Sequence, residues 1–294
     1  MKVLSLLLIL LCSACASHIG RPLNIVQPTP VETAYTVHRD VVFTPAQWPK
    51  ALLADVYVPE GKGPFPAVLL IHGGGWYSGD REQVHSIAER VAQRGYVVMN
   101  ATYRLSPGYR FPDAVYDLQQ ALRWLRGHAA EYKADAGHIG TFGYSAGAHL
   151  AAMLGTISNG DPLDTPYGGP KTRVQAVVAG GTPTDLRKFP GGTMVPDFLG
   201  TTLQEKPEVY TLASPITHIT KDDPPFFLYH GGMDMLVPVD HAEDMKTALD
   251  AVGVPAELYI IRGREHLTAF LMDWGAVDAA LDFLDRNLRS EAAH

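Results

Sequence analysis

The sequence predicts an α/β fold, a mostly parallel sheet with helices on both faces and a small cap inserted in the second half. Three observations carry this. Continuous apolar runs of strand length recur along the chain, helical periods alternate with them, and one long Pro- and Gly-rich stretch breaks the rhythm. Runs that are apolar at every position suit strands covered on both faces, as in a parallel sheet. Alternation with helices implies right-handed crossovers.

The first 33 residues are expected to lie outside the domain. Residues 1–16 have the form of a signal peptide: a positive start at Lys2, an apolar stretch over 3–11 too short to span a bilayer, then small residues around Cys12 and Cys15. Two cleavage readings stand side by side. Ala14-Cys15-Ala16 fits the small-x-small rule of ordinary signal peptidase, whereas Ser13-Ala14-Cys15 resembles a lipobox in which Cys15 is lipidated. The short signal with a cysteine at its edge favours the lipobox, and Cys12, where leucine is usual, departs from it. Either way the chain is expected to be exported: periplasmic, anchored as a lipoprotein, or secreted. Residues 17–33 contain Pro22, Pro28 and Pro30 with no hydrophobic period, which predicts a tether.

The domain proper is expected over 34–294. Residues 35–43 and 53–58 predict an antiparallel hairpin at the sheet edge. The runs at 66–71, 96–99, 138–142, 174–179, 226–229 and 256–261 predict the remaining strands. Between them, Val84, Ile87, Ala88 and Val91 share one helical face before Gly95. Val115, Leu118, Leu122 and Leu125 share another, opened by Pro112 and closed by Gly127. Ala242, Met245, Leu249 and Val252 repeat the pattern before Gly253, and Trp274, Val277, Leu281 and Leu284 end the chain. Residues 182–224 have only short apolar pieces; a connection this long in a compact domain predicts a cap.

Composition bounds the chemistry. With 294 residues, 46% hydrophobic and 19% charged, the chain suits one large domain that needs no disulfide or metal staple. A formal net charge of −7 and the lack of basic runs argue against nucleic acid as a partner. Both cysteines lie in the leader, so the domain beyond it has no disulfide, cysteine nucleophile or thiolate metal site.

Residues 143–147 read Gly-Tyr-Ser-Ala-Gly, between a predicted strand and a predicted helix. G-x-S-x-G in that setting is the form of a nucleophile elbow. A serine hydroxyl is a poor nucleophile unless a base, an acid that orients the base, and donors to the oxyanion surround it. The donors are expected from His72-Gly73-Gly74-Gly75-Trp76 after the run 66–71, with the amides of Gly74, Gly75 and Ala146 pointing inward and His72 bracing the loop. No Gly-Lys-Ser/Thr follows, which argues against a phosphate cradle. Asp234 leaves the end of the run 226–229, and His266 the end of 256–261. The order serine, acid, histidine along the chain is the one this arrangement requires. Ser145, Asp234 and His266 are therefore the expected catalytic residues. Trp76, Tyr77 and Tyr144 either line the substrate pocket or pack as ordinary core aromatics.

With these residues in place the chain resembles the α/β-hydrolase esterases of the hormone-sensitive-lipase-like and acetyl-esterase group, over nearly everything from about residue 50 onward. The likeness lies in residues 72–76, Tyr103-Arg104-Leu105-Ser106-Pro107, Phe111-Pro112, Arg123-Trp124-Leu125, the elbow with His149-Leu150-Ala151, Ser214-Pro215-Ile216, and Asp234 with Val237-Pro238. Trp76 is closer to bacterial acetyl and feruloyl esterases and kynurenine-formamidase-like enzymes than to lipases. Gly108 departs from the pattern, where the group often has glutamate, and bears on loop bracing rather than the triad. The resemblance implies an α/β-hydrolase fold and hydrolysis of small carboxylic esters without a cofactor or metal. The expected function is an exported serine carboxylesterase for short acyl or small aryl esters, including acetyl or feruloyl groups on carbohydrate. A formamidase with the same triad and a non-catalytic hydrolase-fold binding protein are the alternatives.

Overall fold

In the computed structural model, which describes residues 16–22, 32–189, 191–272 and 274–289, the apolar run that starts at Phe65 alternates between two cores. Ala67, Leu69 and Ile71 face one layer of side chains, and Val68 and Leu70 face the other. Val177 against Val178, and Phe226 against Phe227, divide in the same way. Period-two alternation with both faces apolar makes a strand the inside of a three-layer sandwich.

The strands are β1 (Ala16–Ile19), β2 (Tyr35–Val42), β3 (Leu53–Pro59), β4 (Phe65–Ile71), β5 (Val97–Ala101), β6 (Ala134–Tyr144), β7 (Ala176–Gly180), β8 (Phe226–Gly231) and β9 (Ala256–Ile261). They form a nine-stranded sheet in the order β1-β9-β8-β7-β6-β4-β5-β3-β2. Pairing is parallel from β5 through β4, β6, β7 and β8 to β9. It is antiparallel at β2–β3, β3–β5 and β1–β9. The helices are α1 (His85–Gln93), α2 (Asp113–Gly127), α3 (Ala146–Thr156), α4 (Met194–Leu199), α5 (Pro207–Leu212), α6 (Asp240–Ala251), α7 (His266–Leu271) and α8 (Trp274–Leu288). Leu118, Leu150 and Met245 carry α2, α3 and α6 into one core, and Ile87 and Leu281 carry α1 and α8 into the other. Helix α3 is buried at every position, so its sequence shows small residues and no polar face.

The tether expected over 17–33 starts differently. Ala16–Ile19 is an edge strand on β9, pairing Ala16 with Ile261 and Ile19 with Leu258. His18 explains why this strand leaves no hydrophobic period in the sequence. Its Nε2 lies 2.8 Å from Glu257 Oε2, and its ring stands edge-on to Phe227 and Tyr259, so a polar residue makes the inward contact. Arg262 also donates to Ser17 Oγ at 2.8 Å. Strands β1 and β2 occupy opposite edges of the sheet. Of the expected leader, residues 1–15, including Cys12 and Cys15, lie outside the described residues, whereas Ala16 is the first residue of β1.

The 182–224 excursion folds into α4, α5 and short 3-10 turns. It packs on the loop after β4: Phe198 of α4 stacks on Trp76 at 4.6 Å, and the Phe111 amide donates to Phe198 O. The segment after β5 is locked by a buried knot. Asp117 on α2, with no exposure, accepts from the Arg104 amide at 2.9 Å, from Arg104 Nε at 2.8 Å and from Trp48 Nε1 at 2.7 Å.

Removing one partner of a buried pair strands the other charge. Asp117→Ala is therefore expected to lower unfolding free energy by about 3–5 kcal/mol, measured by urea denaturation. A midpoint equal to the unsubstituted protein's would show the knot to be dispensable.

Candidate active site

The chain turns from β6 into α3 within one residue, and that residue is Ser145, at φ 55° and ψ −122°. A non-glycine residue in this region is strained and is held only by its surroundings. Here the Ser145 amide donates to Gly180 O at 2.7 Å, and its carbonyl accepts from His149 N at 3.0 Å. The turn also brings α3 against the end of β4. A Cβ on Gly147 would lie 2.2 Å from Ile71 O and 2.5 Å from His72 O, so only glycine fits.

His266 opens α7 directly after β9. Glu265 caps the helix reciprocally with Thr268, and Tyr144 Oη donates to His266 O at 2.6 Å. The backbone of the histidine is thus held from both sides. Its Nδ1 lies 2.6 Å from Asp234 Oδ2 and its Nε2 lies 2.8 Å from Ser145 Oγ. Asp234, after β8, accepts from the amides of Leu236 at 3.0 Å and Val237 at 2.8 Å through Oδ1. Burial opposes its charge, but hydrogen bonds from His230, His266 and the Val237 amide outweigh it and hold the carboxyl well below the usual carboxylate range. An ionised Asp234 places the imidazole hydrogen on Nδ1, which leaves Nε2 as acceptor for the serine hydroxyl. The three side chains expected from sequence therefore meet in one line of hydrogen bonds. Such a line can take a proton from serine and return it to a leaving group.

The glycine loop lies alongside. Gly74 has φ +102°, and a Cβ there would lie 2.1 Å from Ser78 O. The amides of Gly74, Gly75 and Ala146 donate no hydrogen bond within the described residues. Three buried groups brace the loop. His72 Nδ1 lies 2.8 Å from Gly73 O, and its ring stacks on Tyr103 at 4.4 Å. Tyr103 Oη donates to His72 O, and the Ser106 amide to Trp76 O. Trp76 Nε1 donates to His149 Nδ1 at 3.2 Å, and His149 Nε2 donates onward to Ala213 O at 2.7 Å. His149 thus ties glycine loop, elbow helix and excursion together. Burial lowers both His72 and His149 to about 4, so both rings are neutral near pH 7.

Two hollows meet at Ser145. One, of about 340 Å³, is lined by Gly73, Gly74, Tyr77, Tyr144, His266 and Phe270 among others. The second, of about 300 Å³, is lined by Trp76, Ala146, Pro183, Phe189, Val195 and Val237 among others. Gly75, Met194 and Leu236 border both. Of the aromatics singled out in sequence, Tyr77 is an exposed wall, while Tyr144 and Trp76 are buried and serve as braces as well as lining. Sequence reasoning missed Leu267 and Phe270, which project from α7 beside His266, and Met194 and Phe189, which the excursion brings in from a stretch with no periodic signal.

Residues 54–249 match the family described as BD-FAE. The chain belongs to the BD-FAE family. Esterase LipC of Mycobacterium tuberculosis is 34% identical over 200 residues, covering 64% of this chain and 49% of LipC. The probable carboxylic ester hydrolase LipM of the same organism is 33% identical over 205 residues, covering 67% and 48%. The chain spans about half the length of these curated relatives. A thermophilic esterase of the planctomycete Thermogutta terrifontis superposes with a TM-score of 0.72 at 25% identity, over 94% of this chain and 99% of that one. That esterase has also been solved with propionate and with butyrate bound. These likenesses bear out the α/β-hydrolase fold that the motifs implied.

The buried imidazoles set an acid limit on stability. His72, His149 and His241 are all lowered by burial to about 4, against about 6.5 in an unfolded chain. As pH falls below about 6.5 the unfolded state takes up these protons first, so stability is lost progressively down to about pH 4. Asp223, raised by burial to about 6, and Asp117, raised by burial against its bonds to Arg104 and Trp48, work the other way. His218, raised by its bond to Asp161, changes stability only above pH 6.5. Three groups against two predict a net fall in the urea midpoint between pH 6.5 and 4. A flat or rising midpoint across that window would count against neutral buried imidazoles.

Proposed function

We propose that the protein is an exported serine carboxylesterase that hydrolyses short acyl or small aryl esters through an acyl-enzyme. The observation that carries this is the unbroken line from Ser145 Oγ to His266 to Asp234. In the first step Ser145 Oγ bonds to the ester carbonyl carbon while its proton passes to His266 Nε2. The carbonyl oxygen becomes an alkoxide beside the free amides of Gly74, Gly75 and Ala146. Collapse of this adduct breaks the bond to the alcohol oxygen, which leaves with the proton from His266. Water then repeats the sequence on the acyl-enzyme, gives its proton to His266, and releases the acid as Ser145 recovers its proton.

The two hollows receive different halves of the ester. His266 must reach the alcohol oxygen, so the leaving group belongs in the hollow that His266 lines. The acyl group then lies in the other, bounded by Trp76, Phe189 and Val195. Its apolar lining favours short or flat acyl groups, acetyl and feruloyl among them. The propionate and butyrate found with the Thermogutta relative agree with a small acid product.

Ser145→Ala and His266→Ala are each expected to lower kcat for 4-nitrophenyl acetate by about three orders of magnitude or more with the fold intact. A fluorophosphonate should label Ser145 and no other serine. Near-normal turnover by Ser145→Ala would end the assignment. Tyr144→Phe removes only the hydrogen bond to His266 O. It is expected to lower kcat by about tenfold and leave KM unchanged, because a shifted base weakens proton transfer rather than binding. A change confined to KM would make Tyr144 a substrate contact instead.

A further inference from the structure

We propose that the mouth of the cleft faces a lipid bilayer, seated there by its own apolar rim and by the N-terminal end of the chain, which leaves the fold beside it. The inference rests on the reading of Ser13-Ala14-Cys15 as a lipobox with Cys15 lipidated, and extends the proposed esterase site to where it works.

The first observation is direction. Strand β1 runs antiparallel to β9 with Ala16 opposite Ile261, the last residue of β9. Ala16 therefore lies at the carboxyl end of the parallel strands, the end that carries Ser145, Asp234 and His266. The loops are joined there: Gly232 N donates to Ile261 O at 2.9 Å and Met233 N to Arg264 O at 2.9 Å. Under the lipobox reading the processed chain would begin at Cys15, one residue before β1. A lipid on Cys15 would leave no slack at all.

The second observation is the rim. Among the described residues, seven of the ten large apolar side chains that are exposed sit around this one mouth. Met233, Met235 and Leu236 are on the Asp234 loop, Leu267, Leu271 and Met272 are on or beside α7, and Tyr77 closes the circle. Met235 is 86% exposed. Concentration of this kind marks a contact surface rather than the scatter normal on a soluble protein. The opposite pole of the sheet, before β4, is exposed and charged, with Glu60, Lys62, Glu131 and Lys133.

The two observations need each other. A lipid on Cys15 fixes the chain to a membrane but not the face it presents there. A rim of leucine and methionine at the point where the anchor enters the fold sets that face against the bilayer. An ester whose alcohol is lipid-like would then reach the His266 side of the cleft without leaving the bilayer.

The test uses the chain processed and lipidated at Cys15, which leaves no free cysteine of its own, bound to vesicles of phosphatidylcholine and phosphatidylglycerol. A nitroxide is placed at Leu271→Cys or, as the far pole, at Lys62→Cys, and mass spectrometry verifies its position. Neither residue lines the cleft, and turnover of 4-nitrophenyl acetate in water checks that each variant is folded; Met272→Cys replaces Leu271→Cys if that variant fails. The label at 271 is expected to collide with an aqueous nickel chelate at least fivefold less often than the label at 62, and more often with oxygen. Equal collision at both sites, which would leave the rim for a large apolar substrate in water, overturns the proposal, as does failure of the chain to stay on the vesicles. Shielding at 271 without any esterase activity in the unsubstituted chain would sink the esterase reading and leave the orientation standing.

Discussion

The turn at Ser145 is the constraint on which the rest of the structure depends. A left-handed serine between β6 and α3 is unfavourable by itself, of the order of 1–3 kcal/mol. It persists because α3 is driven against the end of β4 by burial along its whole length, and Gly147 lets the helix touch the carbonyls of Ile71 and His72. That contact has a second effect. The carbonyls it touches belong to the start of the glycine loop, so the same approach that strains the serine also sets the distance from Ser145 to the amides beside it. Nucleophile and oxyanion donors are thus not two features placed independently; one close packing of helix on strand positions both.

Neutral buried histidines then hold this geometry from behind. His149 sits on α3 and would read from sequence as one more helix residue. In the structure it accepts from Trp76 and donates to Ala213, which fixes its tautomer and joins three segments remote in sequence. His72 does the same for the loop it begins, through Gly73 and the stacked Tyr103. A protonated His149 would turn its Nδ1 acceptor into a donor facing the Trp76 N–H. Burial keeps both rings neutral, so desolvation here acts as a positional device.

Much of this was legible because each strand end carries its own punctuation. Apolar runs ending in His72-Gly73-Gly74, in Gly143-Tyr144-Ser145 and in His230-Gly231-Gly232 announce a strand followed by a tight turn, and a parallel sheet gathers all such turns at one end. The order of side chains along the chain therefore translated into proximity in space. What was not legible depends on contacts without period. Strand β1 is four residues long and turns a histidine inward, held by Glu257 from a strand over 200 residues away. Met194 and Phe189 reach the cleft from an excursion whose path is decided by Phe198 stacking on Trp76 and Ser214 accepting from the Leu186 amide, neither of which leaves a pattern in the local sequence. Trp76 reads equally as lining or as core because it is both.

The two edges of the sheet show how differently the same problem can be solved. An edge strand exposes unpaired backbone groups that invite pairing with another chain. At β2 the exposed edge carries His38, Arg39 and Asp40, and a break in register between His38 and Val41 puts Asp40 at φ 55°, which twists the edge away from any flat partner. At the other side β9 would present the backbone of Leu258 to Ile261, next to the loop that carries His266. A chain adding there would press on that loop. Strand β1 occupies those positions with the protein's own backbone, and Arg262 reaches across to Ser17 at the first turn beyond β9. The segment nearest the leader thus shields the strand that leads into His266, so losing it would disturb the active end of the sheet before it disturbed the core.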